Sequence, residues 1–144
     1  MNTNAERAVQ GRVLVVDDDH DICALIADAL DEHGYEVETA TSGEAALRAV
    51  GARRPDLVML DVNMPGIDGW DVLNELRAAA GDQTPVVVMT AGFDAQERAL
   101  ATGAQGYLSK PFDLDDLQHA VGAHIGLPMQ GSHELARGAQ AEGR

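Results

Sequence analysis

The sequence predicts an α/β fold: a doubly wound (βα)5 chain of five strands alternating with five helices around a parallel sheet. Three observations predict it. Short β-branched apolar runs alternate along the chain with stretches whose apolar residues recur at helical spacing. Three of those runs are continuously apolar, as strands covered by helices on both faces must be. The chain has 144 residues, of which 45% are hydrophobic, enough for one domain with a proper core.

Residues 1–11 are polar and end in glycine, and read as a flexible lead-in. RVLVV (12–16) is the first strand. Over 21–33, Ile22, Leu25, Ile26, Ala29 and Leu30 share a helical face, and Gly34 is placed to cap its end. YEVETA (35–40) alternates, as an outer strand does. Ser42 is a good N-cap for a second helix carrying Ala45, Ala46, Leu47 and Val50. LVML (57–60) is the third strand, and the turn-rich stretch from Asn63 to Gly69 leads to a third helix with Val72, Leu73 and Leu76. VVVM (86–89) is the fourth strand. A short helix is expected over 94–103, a fifth strand from Tyr107 to Ser109, and a last helix over 114–125 that Gly122 weakens. Residues 126–144, rich in Gly, Ala, Gln and charge, read as a flexible tail with a short helix possible around 133–137. The continuously apolar strands belong in the centre, which gives the order 2-1-3-4-5, the flavodoxin-like form of the doubly wound sheet.

Composition narrows the function. The formal charge is −14, with 24 acids against 10 bases, so phosphate backbones are repelled unless basic residues are segregated. The densest basic step is Arg53-Arg54, and nucleic-acid binding is not expected. Aromatic residues are 3%, so the core must be aliphatic. Met59, Met64 and Met89 read as core or loop filler, and Trp70 as a partly buried residue near Asp61. The single cysteine, Cys23, reads as a small buried apolar side chain. His20, His33, His119, His124 and His133 share no metal-ligand spacing. No signal peptide or long apolar run is present in the sequence, and the expected location is the cytoplasm, away from membranes.

In a sheet of this order, ligands bind beyond the carboxyl ends of the strands where the winding reverses, here between strands one and three. The strand ends carry polar groups: Asp17-Asp18-Asp19 after strand one, Asp61 after three, Thr90 after four, Lys110 after five. Helix N-termini favour acids, which accounts for Asp19 as a cap, but not for Asp61 or for a lysine beside Pro111. Converging carboxylates repel one another, and a hard divalent cation such as Mg²⁺ relieves the repulsion. A carboxylate can attack phosphorus, and positive charge from the metal and Lys110, with a hydroxyl from Thr90, would stabilise the transferring group.

The segments VLVVDDD (13–19), LVMLDVNMPGIDG (57–69), VVVMTA (86–91) and GYLSKPF (106–112) together resemble the receiver domain of two-component response regulators, in particular the stand-alone chemotaxis type. The resemblance spans residues 12–125. It implies Asp61 as phosphoacceptor, Asp18 as a direct Mg²⁺ ligand, Asp17 as the acid holding metal-bound water, and Asn63 as a ligand through its backbone carbonyl. It implies Thr90 as the switching hydroxyl, Tyr107 as the aromatic that follows it, and Lys110 as the phosphate-contacting lysine before a cis bond to Pro111. The implied donor is a histidine kinase or histidine phosphotransfer protein. With no further module after residue 125 in this sequence, output is expected through a protein target on the face of the fourth helix, fifth strand and fifth helix. The stretch from Thr90 to Tyr107 is about two residues short of the usual pattern, which trims part of that face.

Two other readings use the same residues. A pseudo-receiver would bind partners without phosphorylation, but such proteins lose site residues and here all are present. A phosphohydrolase of the haloacid-dehalogenase type would use Asp17 and Asp19 as its D-x-D, but its acidic pair belongs at a strand end, whereas Asp115-Asp116 fall at a helix start, and Asp61 would have no role. A flavin-binding module of similar topology would need Ser, Thr and Gly in the loop after strand one, where this chain has acids.

Overall fold

The computed structural model describes residues 11–65, 68–81, 83–91, 97, 99, 101 and 103–125. Its strands are β1 (Gly11–Val16), β2 (Tyr35–Ala40), β3 (Leu57–Asp61), β4 (Val86–Thr90) and β5 (Gly106–Ser109). They form one sheet in the order β2-β1-β3-β4-β5, every neighbouring pair parallel. The helices are α1 (His20–Glu32), α2 (Gly43–Ala52), α3 (Gly69–Ala80) and α4 (Leu114–His124), the last being the fifth that the sequence predicts. The short helix expected over 94–103 falls largely outside the described residues, although Glu97, Ala99 and Ala101 are helical. The expected flexible ends, 1–11 and 126–144, and the short helix near 133–137 also lie outside, except that Gly11 opens β1 and pairs with Tyr35.

The strands alternate their side chains between two aliphatic cores, as a pleated strand must. Leu14, Val16, Val58, Leu60, Val86 and Val88 face α2 and α3, meeting Ala46, Val50, Leu73 and Leu76. Val13, Val15, Leu57, Met59, Val87 and Met89 face the other way, meeting Ile26 and Leu30 of α1 and Leu117 and Val121 of α4. Every residue of β3 and β4 is buried, which explains why those runs carry no polar alternation. Met59, Met64 and Met89 are buried as expected, and Trp70 is half-buried against the first core.

Helix starts are fixed by short acids and a serine. The Asp19 carboxylate accepts the N–H groups of Asp21 and Ile22, so α1 begins one residue before the sequence-based boundary. Ser42 accepts from Ala45 N–H, as predicted. Gly34 follows α1 with φ +91°, which a glycine adopts without strain. Asp113 and Asp116 form a reciprocal capping box at the start of α4. That gives Asp116 a structural role, and the Asp115-Asp116 pair lies on a helix rather than at a strand end. Asp19→Ala removes two accepted hydrogen bonds and should cost about 1 kcal/mol, read as a shift in urea midpoint at unchanged slope.

An acidic pocket at the carboxyl edge of the sheet

The chain runs from β1 outward to β2 and then returns to β3 on the far side of β1, which opens a crevice above β1 and β3. Asp17 follows β1, Asp61 ends β3, Thr90 ends β4 and Lys110 follows β5, so four separate strands deliver their terminal groups to this edge. Asp17, Asp61 and Thr90 are buried, while Asp18 is exposed at the mouth. One carboxylate oxygen from each of Asp17, Asp18 and Asp61 lies within 4.8 Å of the others.

Backbone and side-chain donors hold these acids in place. Asp17 Oδ1 accepts the N–H of Asp19 at 3.0 Å, and Asp17 Oδ2 accepts from Lys110 Nζ at 3.0 Å. Asp61 Oδ1 accepts the N–H of Asn63 at 2.9 Å, and Lys110 Nζ stands 3.3 Å from Asp61 Oδ2. The ammonium of Lys110 thus sits between the two buried carboxylates. The peptide bond from Lys110 to Pro111 is cis, as the sequence resemblance implied. Lys110 N–H also donates to the carbonyl of Thr90 at 2.8 Å, tying the loop after β5 to the end of β4.

Electrostatics follow from this arrangement. Burial raises the pKa of Asp61, the charge of Asp17 adds to the rise, and the Asn63 N–H and Lys110 oppose it. Burial pulls Lys110 down, but its hydrogen bond to Asp17 and the charges of Asp61 and Asp17 outweigh that, and its pKa lies above the ordinary lysine value. When ionised, three carboxylates against one ammonium leave two negative charges, the charge that one divalent cation balances. The donor set is all hard oxygen, with an exposed member at the mouth, which suits Mg²⁺. Lys110→Met leaves Asp17 and Asp61 without their cation, and should destabilise the metal-free protein by about 2 kcal/mol, tempered by the partial exposure of the lysine. Thermal unfolding in a chelator checks this, and added Mg²⁺ should restore more stability to the variant than to the parent chain.

Two site contacts are not visible in the sequence. The side-chain carbonyl of Asn63 accepts the N–H of Ala91 at 3.0 Å, bracing the loop after β3 against the end of β4. The Cys23 thiol donates to the carbonyl of Asp17 at 3.2 Å, so this buried residue supports the turn that carries the acids. Burial, followed by the charge of Asp17, raises the thiol pKa. Both partners are distant or use the backbone, so no residue pattern announces them. Tyr107 is half-buried and packs against the α2–α3 core. Among the other histidines, His33 and His124 each turn Nδ1 to a carbonyl four residues back in their own helix.

A parallel five-stranded sheet with an acid pocket and a lysine at this edge is shared with a known family of signalling domains. The chain belongs to the response regulator receiver domain family, whose model matches residues 13–122. It is 46% identical over 114 residues to the transcriptional regulatory protein PrrA of Mycobacterium tuberculosis, covering 78% of this chain and 48% of that protein. It is 44% identical over 108 residues to the response regulator MprA of Mycolicibacterium vanbaalenii, covering 74% of this chain and 46% of that one. The chain thus spans about half the length of these curated relatives. Among solved structures it resembles the chemotaxis protein CheY4 of Vibrio cholerae, with 31% identity, a TM-score of 0.73, and coverage of 81% of this chain and 99% of that one. It also resembles the receiver domain of NtrX from Brucella abortus, with 34% identity, a TM-score of 0.70, and coverage of 76% and 94%. Members of this family are two-component signalling proteins rather than metabolic enzymes. No helix among the described residues is long and apolar enough to cross a membrane.

Proposed function

We propose that residues 12–125 act as a phosphorylation switch in which Asp61 is the acceptor. The observation that carries this reading is the position of Asp61: a buried carboxylate at the end of a fully buried strand, with Lys110 Nζ at 3.3 Å and two further acids beside it. Asp17, Asp18 and Asp61, with the backbone carbonyl of Asn63, would hold Mg²⁺. When bound, the cation supplies positive charge to the phosphoryl oxygens.

The chain's own groups do the rest. Asn63 N–H holds one oxygen of Asp61, which leaves the other as nucleophile. That oxygen attacks phosphorus as the phosphorus–nitrogen bond of the donor's phosphohistidine breaks, and the electron pair returns to the imidazole. Lys110 then exchanges part of its contact with Asp61 for the equatorial oxygens of the phosphoryl group. The Thr90 hydroxyl contacts another of those oxygens and moves with it, and Tyr107 follows. The result shifts a pre-existing equilibrium between two arrangements of the face that includes β5 and α4. The donor is a histidine kinase or histidine phosphotransfer protein in the cytoplasm, and the output is contact with a downstream protein.

Incubation of the full chain with acetyl phosphate and Mg²⁺, followed by intact mass measurement, tests the reading. One phosphoryl adduct that requires Mg²⁺ is expected. No adduct on the chain, where a control receiver domain is labelled in parallel, would sink the proposal and leave a partner-binding module that is never phosphorylated.

A further inference from the structure

The peptide unit that joins Thr90 to Ala91 is held from both sides. Its carbonyl, that of Thr90, accepts the N–H of Lys110 at 2.8 Å. Its N–H, that of Ala91, donates to the side-chain carbonyl of Asn63 at 3.0 Å. Thr90 is buried but Ala91 is exposed, so little packing fixes the far side of this peptide. The two holds differ in kind. Lys110 uses its backbone, a bond that any residue but proline can make. Asn63 uses its side chain, so the strength of this second hold depends on residue type. Asn63 also donates its own N–H to Asp61 Oδ1 at 2.9 Å. One residue therefore touches both the acceptor carboxylate and the chain directly after the hydroxyl that is to move. The metal site uses only the backbone carbonyl of Asn63, which leaves the side chain without an assigned task.

We propose that the Asn63 side chain is a latch: by holding the Ala91 N–H it keeps the end of β4, and Thr90 with it, in the resting arrangement, and so sets how strongly the unphosphorylated domain is biased toward rest. The proposal rests on the reading of Asp61 as acceptor and Thr90 as the moving hydroxyl. For Thr90 to follow a phosphoryl oxygen, the peptide after it must shift, and Asn63 Oδ1 must then give up its donor. One hydrogen bond of this kind contributes modestly, so the latch biases the equilibrium rather than locking it. A ligand that binds only the switched arrangement has its affinity reduced in proportion to how few molecules occupy that arrangement beforehand. Asn63 is thus a positioning residue, acting through Ala91 and Thr90 rather than on the phosphoryl group.

The test is the affinity of the full chain for beryllium fluoride, a tetrahedral stand-in for a phosphoryl group on a carboxylate, read by ¹⁹F NMR. Saturating Mg²⁺ keeps any change in metal affinity out of the comparison. Asn63→Ala, which retains the backbone carbonyl and N–H, should bind beryllium fluoride about fivefold more tightly than the parent chain. In a Thr90→Ala background, where no hydroxyl is drawn in, the same substitution should change the affinity by less than about twofold. A merely structural role would lower the melting temperature and leave the affinity unchanged, and that outcome overturns the proposal. Weaker binding also overturns it, since Asn63 would then support the bound group itself. So does an equal gain with and without Thr90, because the latch would not act through that residue. In each of these cases uptake from acetyl phosphate by the parent chain leaves the acceptor reading standing. If the parent chain neither binds beryllium fluoride nor takes a phosphoryl group from acetyl phosphate, the acceptor reading itself fails and the latch falls with it.

Discussion

Asp61→Asn is expected to take up no phosphoryl group from acetyl phosphate, a loss of at least about 10²-fold in labelling rate, because an amide is no substitute for an oxygen nucleophile. The same substitution should raise, not lower, the melting temperature in metal-free buffer at neutral pH. Burial and the neighbouring charge of Asp17 both disfavour the ionised form of Asp61 in the folded protein. An uncharged side chain of equal size removes that cost, and Lys110 keeps Asp17 as its partner at 3.0 Å. Opposite signs for activity and stability mark a residue retained for chemistry rather than for folding. Mg²⁺ should stabilise the parent chain and do so less in the variant, since one of its three carboxylates is gone. Thermal unfolding with and without the cation measures all three effects.

Gly69→Ala is expected to be the most destabilising single methyl group in the described structure. Gly69 opens α3 directly after its N-cap, Asp68, and a Cβ there would fall on the backbone of Val62. Backbone cannot yield as a flexible side chain can. Val62 follows Asp61, and its N–H donates to the carbonyl of Met89 at 3.1 Å. The clash therefore pushes either α3 off the sheet or the end of β3 out of register with β4. Overpacking of this kind costs about 3 kcal/mol, a fall of roughly 10 °C in melting temperature for a domain of this size. The acceptor moves with the loop, so phosphoryl uptake should fall as well. By contrast, Gly51 and Gly122 have open space where a Cβ would go, and alanine there should be neutral or slightly stabilising, in keeping with the sequence's marking of Gly122 as a weak point in its helix.

Much of this fold was legible because its strands leave little choice. VLVV, LVML and VVVM are apolar without alternation, and only a sheet covered on both faces buries such runs. Sheet order followed from which runs were apolar, and the site followed from sheet order, since Asp17, Asp61, Thr90 and Lys110 all end strands at one edge. Strand boundaries were less legible. Gly11 and Asp61 belong to strands through backbone pairing with Tyr35 and Met89, which side-chain pattern does not record. Contacts between distant residues were not legible at all. Asn63 reads as a turn residue, yet its side chain braces Ala91, 28 positions away. Cys23 reads as a small apolar residue, yet its thiol donates to the backbone carbonyl of Asp17. The capping role of Asp113 and Asp116 was local and could have been read from the spacing of the two acids at the helix start.

The measurement closest to the central claim is reductive trapping of the phosphorylated chain. Borohydride converts an aspartyl phosphate to homoserine, and peptide mapping then names the residue that carried the phosphoryl group. Homoserine at position 61, dependent on both acetyl phosphate and Mg²⁺, is the result this account predicts. Homoserine at Asp17 or Asp18, or a phosphoryl adduct that borohydride does not reduce, would contradict it.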